Sequence, residues 1–444
     1  MPTDDQITSI VEGNTQILVP RGALEQKVPP REIAFFNPRA KLSRDISIIA
    51  YSAFLKNFEG QKLFLDGLSG IGARGLRVAN EIPSTEVFVN DLNPSALELS
   101  KKSAELNNLK NFQISKNDVC QFFNNFSKKG SRGTIVDIDP FGSPAKYIDC
   151  GIRATIHKGL LSVSATDLQV LHGLFNDACK KKYHGLPIKT KYSNEISIRL
   201  ILGLIITVAA RLDVEATPLF VETNQHYYRV YLRILNKPDT RNKIGYIVHC
   251  KNCGNRYHAQ EPILRCELCS HKMELAGPLW IGKLFDAEFV KQMSQEIPEH
   301  VDKKCQKIIQ KVVLESEMPS CYYTLDEIAE SLKTAPIPLE EIISRLQASG
   351  FIASPTSFNP TGFRTNCKVD KIKEIFLAQS ISYANKIHLT AGFSTCIWFF
   401  QVHLYKFFFQ IITKFHRIFT IKNLEKGISF LCQNAFHNFG TRII

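Results

Sequence analysis

The stretch Thr134-Ile-Val-Asp137-Ile-Asp139-Pro140-Phe141-Gly-Ser-Pro144 joins β-branched apolar residues to a carboxylate, a proline and an aromatic ring. The apolar run reads as a buried strand, and the proline ends it. Asp139, Pro140 and Phe141 then stand at the carboxyl end of a strand, where open α/β sheets bind ligands. Together they suit a flat ring that carries an exocyclic amine. The Asp139 carboxylate can accept one N–H and later take a proton. The backbone carbonyl at Pro140 can accept the other N–H, and Phe141 can stack on the ring. Asp139 is assigned this role rather than Asp137, because only Asp139 abuts the Pro-Phe turn.

Other acids end the strands before it. Lys62 to Asp66 reads as a strand, followed by the turn Gly70-x-Gly72-x-x-Gly75 into a helix. That spacing serves nicotinamide dinucleotides and S-adenosylmethionine alike. Arg74 lies inside the loop, whereas a pyrophosphate favours a bare helix N-terminus. A methionine moiety carries an amine and a carboxylate, which Asp66 and Arg74 would satisfy. Asp91, after the next strand, would accept the ribose hydroxyls, and Asp118 the adenine amine. Acids at three successive strand ends therefore favour a nucleoside-bearing methyl donor over a hydride carrier.

The elements that must position these residues are legible as alternating strands and helices. Strands are predicted at 62–66, 86–90, 112–115, 134–138 and 160–165, with a helix over 94–107 that has Pro94 in its first turn. Leu219 to Glu222 and Tyr227 to Leu235 read as a late antiparallel pair. The whole is a doubly wound α/β sheet. Thr15 to Pro20 is an expected edge strand, and Asp45 is expected to open a helix. The apolar run Ile196 to Ala210, broken by Arg199, reads as a buried helix.

In combination these motifs resemble the tRNA guanine(26)-N2 dimethyltransferases. The resemblance is carried by Phe35-Phe-Asn-Pro-Arg39, Arg44-Asp-Ile46, Ser69-Gly-Ile-Gly-Ala-Arg-Gly75, Asn90-Asp91, Asp137-Ile-Asp-Pro-Phe-Gly-Ser-Pro144, Ala165-Thr-Asp167 and Phe358-Asn-Pro-Thr-Gly-Phe-Arg-Thr365. It covers roughly residues 15–370. It implies a Rossmann-like class I methyltransferase fold and transfer of one or two methyl groups from S-adenosylmethionine to guanine N2 in tRNA. It also implies that Arg44, Arg74, Asp91, Asp118 and the Val119 backbone bind the cofactor. Phe35 and Phe141 would sandwich the guanine, with Asp139 the catalytic carboxylate. Gly70-Ile71 departs from the Ala-Thr common in relatives. The same amine-holding logic would serve another RNA guanine, a DNA adenine or a protein amide, although those last two sites more often carry Asn than Asp. A zinc-ribbon RNA-binding protein with an inactive methyltransferase domain is disfavoured by the intact acids.

Cys250-x-x-Cys253 and Cys266-x-x-Cys269 have the spacing of a structural four-thiolate Zn²⁺ site, which leaves no open catalytic position. Residues 1–240 are therefore read as a methyltransferase domain. Residues 241–378 are read as a smaller α+β, tRNA-binding domain. Its zinc ribbon lies at about 244–276 and a winged-helix-like part at about 320–368. Residues 379–444 form a Phe-rich basic tail. The formal charge of +13 fits a polyanionic partner. Lys180, Lys181, Lys182, Lys189 and Lys191 are its densest patch in the catalytic half. No membrane partner is expected for residues 1–378. The 12 cysteines do not form a secreted disulfide framework, so a reducing, cytoplasmic setting and a monomer are expected.

Overall fold

The computed structural model describes residues 6–26 and 33–378. The Phe-rich tail lies outside the described residues. Strands β1 (Ile7–Glu12) and β2 (Thr15–Pro20) form an antiparallel hairpin, of which the sequence pattern predicts only β2. After the short helix α1 (Gly22–Glu25) comes α2 (Lys41–Lys56). Asp45 does not open α2, as its acid-before-apolar position suggests. The helix starts a turn earlier, and Asp45 is buried inside it between Lys41 and Arg77.

The chain then alternates through β3 (Lys62–Asp66), α3 (Ala73–Glu81), β4 (Thr85–Asn90), α4 (Pro94–Leu106), β5 (Phe112–Ser115), α5 (Val119–Asn125), β6 (Gly133–Ile138), α6 (Ile148–Ala154) and β7 (Thr155–Ala165). Asn93 caps α4 and Asp118 caps α5, each side chain accepting from backbone N–H groups of the first turn. The short α7 (Leu168–Leu171) and α8 (Asn176–Tyr183) lead into α9 (Ser193–Arg211), and β8 (Glu215–Thr223) and β9 (Tyr228–Leu235) close the sheet. The sheet order is β5-β4-β3-β6-β7-β9-β8. Its first five strands are parallel, and β9 runs antiparallel to both β7 and β8. Every residue of β6 is buried, which suits a central strand covered on both faces.

Two glycines let α3 sit close to this sheet. Gly72 caps α3 at φ +74°, and a Cβ there would lie 2.1 Å from Ser100 Oγ. A Cβ on Gly75 would lie 2.4 Å from Val89 Cγ1 of β4. The Gly-rich spacing is thus required by helix–sheet packing as well as by any ligand.

By length and composition α9 could cross a membrane, although 72% of that stretch is buried inside the protein. It packs on β12 (Glu274–Trp280), which with β10 (Ile244–His249) and β11 (Arg256–Ala259) forms a ribbon ordered β11-β10-β12. Helices α10 (Ala287–Gln295) and α11 (Lys303–Glu315) follow, both capped by aspartates. Next come β13 (Tyr323–Thr324), α12 (Leu325–Leu332), α13 (Leu339–Ala348), β14 (Ala353–Pro355) and β15 (Gly362–Thr365), with a small sheet ordered β13-β15-β14. Helix α14 (Val369–Leu377) ends the described chain. Cys120 of α5 and Cys150 of α6 are disulfide-bonded, a pairing that their spacing does not signal; the other described cysteines are free.

Candidate active site

The carboxyl ends of β3, β4 and β6 converge on one cavity of about 470 Å³. Phe35, Arg44, Asp66, Arg74, Asp91, Asp139, Pro140 and Phe141 all line it. Asp118 and Val119 are not among its lining residues. Asp118 is exposed, and its carboxylate accepts from Cys120 N at 2.9 Å as the cap of α5.

Asp139 is the chemically distinctive group. Its Oδ2 lies 2.8 Å from Arg74 Nη2 and 2.6 Å from Arg229 Nη2. The same two guanidiniums hold Asp137, with Arg74 Nε 3.0 Å from Oδ2 and Arg229 Nη1 2.5 Å from Oδ1. Two carboxylates and two guanidiniums thus alternate around a buried ring. Tyr51 also donates to Asp137 Oδ1, at 3.1 Å. Asp137 is fully enclosed, whereas a third of the Asp139 side chain faces the cavity. Burial alone would raise the Asp139 carboxyl. Arg229 and Arg74 outweigh it and hold the group at about 2. Asp139 is therefore a permanently ionised acceptor, able to orient an amine but poor at keeping its proton.

Arg229 is absent from the sequence-derived site. It stands on β9, opposite Ser164 of β7, and is completely buried. The available signal was a charge within the apolar run Tyr228-Arg-Val-Tyr-Leu, where a lone buried guanidinium demands partners.

The other expected ligands have partners of their own. Arg44 makes a two-pronged pair with Glu12, at 2.7 and 2.6 Å, which ties α2 to the amino-terminal hairpin. Asp91 Oδ2 accepts from Gly70 N at 2.8 Å and so shapes the Gly-rich turn. Asp66 is buried. Burial, and then the neighbouring Asp137 charge, push its carboxyl well above the ordinary range. Phe35 and Phe141 touch edge to face, with centroids 4.8 Å apart and planes at 83°. A base stacked between them needs the rings ~7 Å apart, twice the usual carbon–carbon contact. The two rings are brought together, and the slot between them is closed in this structure.

On the ribbon, the Sγ atoms of Cys250, Cys253, Cys266 and Cys269 all lie within 4.8 Å of one another. A tetrahedral zinc with bonds of ~2.3 Å places its sulfurs ~3.8 Å apart, so this donor set fits the ion.

A sheet of this strand order, with a Gly-rich turn after its first central strand and a cavity at the strand ends, defines the class I S-adenosylmethionine-dependent methyltransferases. Within that class the chain belongs to the N2,N2-dimethylguanosine tRNA methyltransferase family, whose profile matches residues 13–377. It is 32% identical over 394 residues to the tRNA (guanine(26)-N(2))-dimethyltransferase of Methanobrevibacter smithii, covering 85% of this chain and 99% of that one. The enzyme of the same name from Methanosarcina acetivorans is 33% identical over 396 residues, covering 84% and 99%. Trm1 from Pyrococcus horikoshii, solved with S-adenosyl-L-methionine, superposes with a TM-score of 0.72 at 27% identity, covering 83% of this chain and 99% of that one.

Proposed function

We propose that this tRNA guanine-N2 dimethyltransferase works through Asp139, held as a carboxylate by Arg74 and Arg229 at the mouth of β6. The observation that carries the reading is the clamped ring of Asp137, Arg74, Asp139 and Arg229, in which Asp139 is the carboxylate open to the cavity. S-adenosylmethionine, when bound, supplies an electrophilic methyl whose bonding electron pair stays on sulfur. Asp139 accepts an N–H of the guanine amine and Pro140 offers its carbonyl, so that the nitrogen lone pair faces the donor. Phe141 and Phe35 part to take the base between them.

The charges around the cavity favour a cationic cofactor. Asp66, Asp137 and Asp139 face two guanidiniums, and Asp66 is the acid without a cationic partner of its own. An ammonium beside Asp66 would restore its ionisation, so Asp66 is assigned the methionine amine. Asp91, already fixed by Gly70 N, keeps lone pairs for ribose hydroxyls. Arg44 lines the cavity and is assigned to the cofactor with its guanidinium held by Glu12, whereas Asp118 and Val119, at the start of α5, would meet the part of the cofactor that extends past the cavity lining.

The test is to incubate the full chain with labelled S-adenosylmethionine and unmodified tRNA, then analyse nucleosides. Labelled N2-methylated guanosine at position 26 is expected. Label in adenosine or in protein would reject the function.

We further infer that the ribbon carries structural zinc and that residues 241–378 grip tRNA phosphates. Together with Lys180, Lys181, Lys182, Lys189 and Lys191 they form the basic surface, in which Lys182 and Lys191 also pair with Asp167 and Glu330. The enzyme then acts as a cytoplasmic monomer. Purified protein is expected to hold close to one zinc per chain. Cys266→Ser should lose the metal and weaken tRNA binding while cofactor binding, by calorimetry, persists. Wild-type protein purified without chelators and found metal-free would sink the zinc assignment.

A further inference from the structure

We propose that Glu222, acting through the Tyr227 hydroxyl, receives the proton that guanine N2 sheds when it is methylated. This goes beyond the assignment of Asp139 and rests on it. As the N2–CH₃ bond forms and the S–CH₃ bond breaks, sulfur keeps the electron pair and N2 is left with one proton too many. Asp139 accepts that N–H as a hydrogen bond. With a guanidinium on each side it is a poor place for the proton to stay.

Tyr227 lines the same cavity as Asp139. Its hydroxyl donates to Glu222 Oε1. Glu222 stands near the end of β8, is 4% exposed, and its Oε2 has no hydrogen-bond partner. A buried carboxylate oxygen left unpaired is costly, and a proton delivered to Oε1 lowers that cost by removing the charge. Tyr227 can thus take a proton at its oxygen while passing its own to Glu222, with no net change in the phenol.

The surroundings favour this hand-off. Burial pushes the Glu222 carboxyl up to about 7, against the Tyr227 hydrogen bond and the Arg229 and Arg74 guanidiniums. Tyr227, Arg229 and Tyr231 face it from β9 and its leading loop, Arg74 from α3, Asp139 from the end of β6, and Cys305 from α11. Ser43 of α2 also hydrogen-bonds the Tyr227 hydroxyl. A proton acceptor is most effective when its affinity matches the working pH, and Glu222 meets that condition where Asp139 does not.

The experiment measures single-turnover methylation of tRNA by the full chain from pH 5.5 to 9, together with isotope-edited infrared titration of glutamate without tRNA. In the wild type the rate should rise about tenfold per pH unit and level off near 7, because Glu222 must be unprotonated to accept. Glu222→Gln should abolish that limb and lower the plateau by about 10²-fold, with cofactor affinity unchanged by calorimetry. Glu222→Asp should restore a limb. A protonated-carboxyl infrared band that titrates near neutrality should vanish in Glu222→Gln. An unchanged limb in Glu222→Gln, or a Glu222 carboxyl fully ionised at pH 5.5, overturns the relay. Absence of N2-methylguanosine from the wild-type reaction overturns the function itself, while the infrared titration still reports on Glu222.

Discussion

Asp139→Asn is expected to lower the single-turnover rate of guanine methylation by about 10²–10⁴-fold while S-adenosylmethionine still binds within a few-fold of its normal affinity. The amide keeps the shape of the carboxylate and removes what matters. Its nitrogen would present N–H to the N–H of the substrate, donor against donor. Its oxygen, if turned to the base, would leave the NH₂ group against Arg74 or Arg229. The substitution also removes one of two carboxylates shared by two guanidiniums, and so leaves net positive charge beside the site where a cationic methyl donor must sit. Because the arginines hold Asp139 at about 2, its ionisation contributes no pH dependence to the rate above about pH 4. Asp139→Asn should therefore lower the rate evenly across neutral pH. Asp137→Asn provides the contrast. Asp137 is fully enclosed and bonded by Tyr51, Arg74 and Arg229, so its loss should register first as lower thermal stability. A rate for Asp139→Asn within tenfold of wild type, with stability intact, would remove Asp139 from the chemistry.

What could be read from sequence divides along physical lines. The parallel sheet was legible because buried strands are continuous β-branched runs and because acids, glycines and prolines mark their ends. The Asp139-Pro-Phe corner was legible for the same reason, since its chemistry is local to three residues. Arg229 was not, because it reaches Asp139 from a strand some ninety residues later, through register between β7 and β9. Glu222 and Tyr227 were hidden similarly. They read as the ordinary end of one strand and start of the next until the antiparallel pair brings Tyr227 to the cavity with Glu222 bonded to it. Arg44 shows the converse. Its position in the motif is right for a ligand and it lines the cavity, but its ion pair with Glu12 comes from a strand that the polar first residues did not announce. The closed Phe35–Phe141 slot is a matter of packing that residue types cannot give.

Arg364→Met should reduce the free energy of unfolding at pH 7 by about 3–5 kcal/mol, the cost of stranding buried carboxylates. Arg364, on β15, is 3% exposed. Its Nε lies 2.7 Å from Glu315 Oε2 of α11, and its Nη1 lies 2.9 Å from Glu195 Oε2 of α9 and 3.0 Å from the Pro319 carbonyl. Glu195 also holds Arg199 and the Cys321 amide, and Glu315 accepts from Thr356 and Ser357. One guanidinium thus joins the long helix beneath the methyltransferase sheet to the helix and small sheet that follow the ribbon. Methionine fills much of the volume but leaves Glu315 with no cation and Glu195 with only Arg199. Burial would raise Glu195, but Arg364 and Arg199 bring it down to about 2. A carboxyl lowered on folding gives stability that is present above its unfolded value, near 4.5, and is lost as pH falls toward the folded one. In the variant that lowering is weakened, and the stranded acids take up protons at higher pH. The difference between wild type and variant should therefore be largest at pH 7 and shrink as pH falls from about 4.5 toward 2, as read by urea unfolding. Adding Glu315→Gln to Arg364→Met should recover part of the loss, because a neutral amide costs less to leave buried than a charge. A variant as stable as wild type at pH 7 would mean that this buried network contributes nothing net. The two halves of the chain would then be held by the shared apolar core, which includes the packing of α9 on β12 and of α10 and α11 on α2.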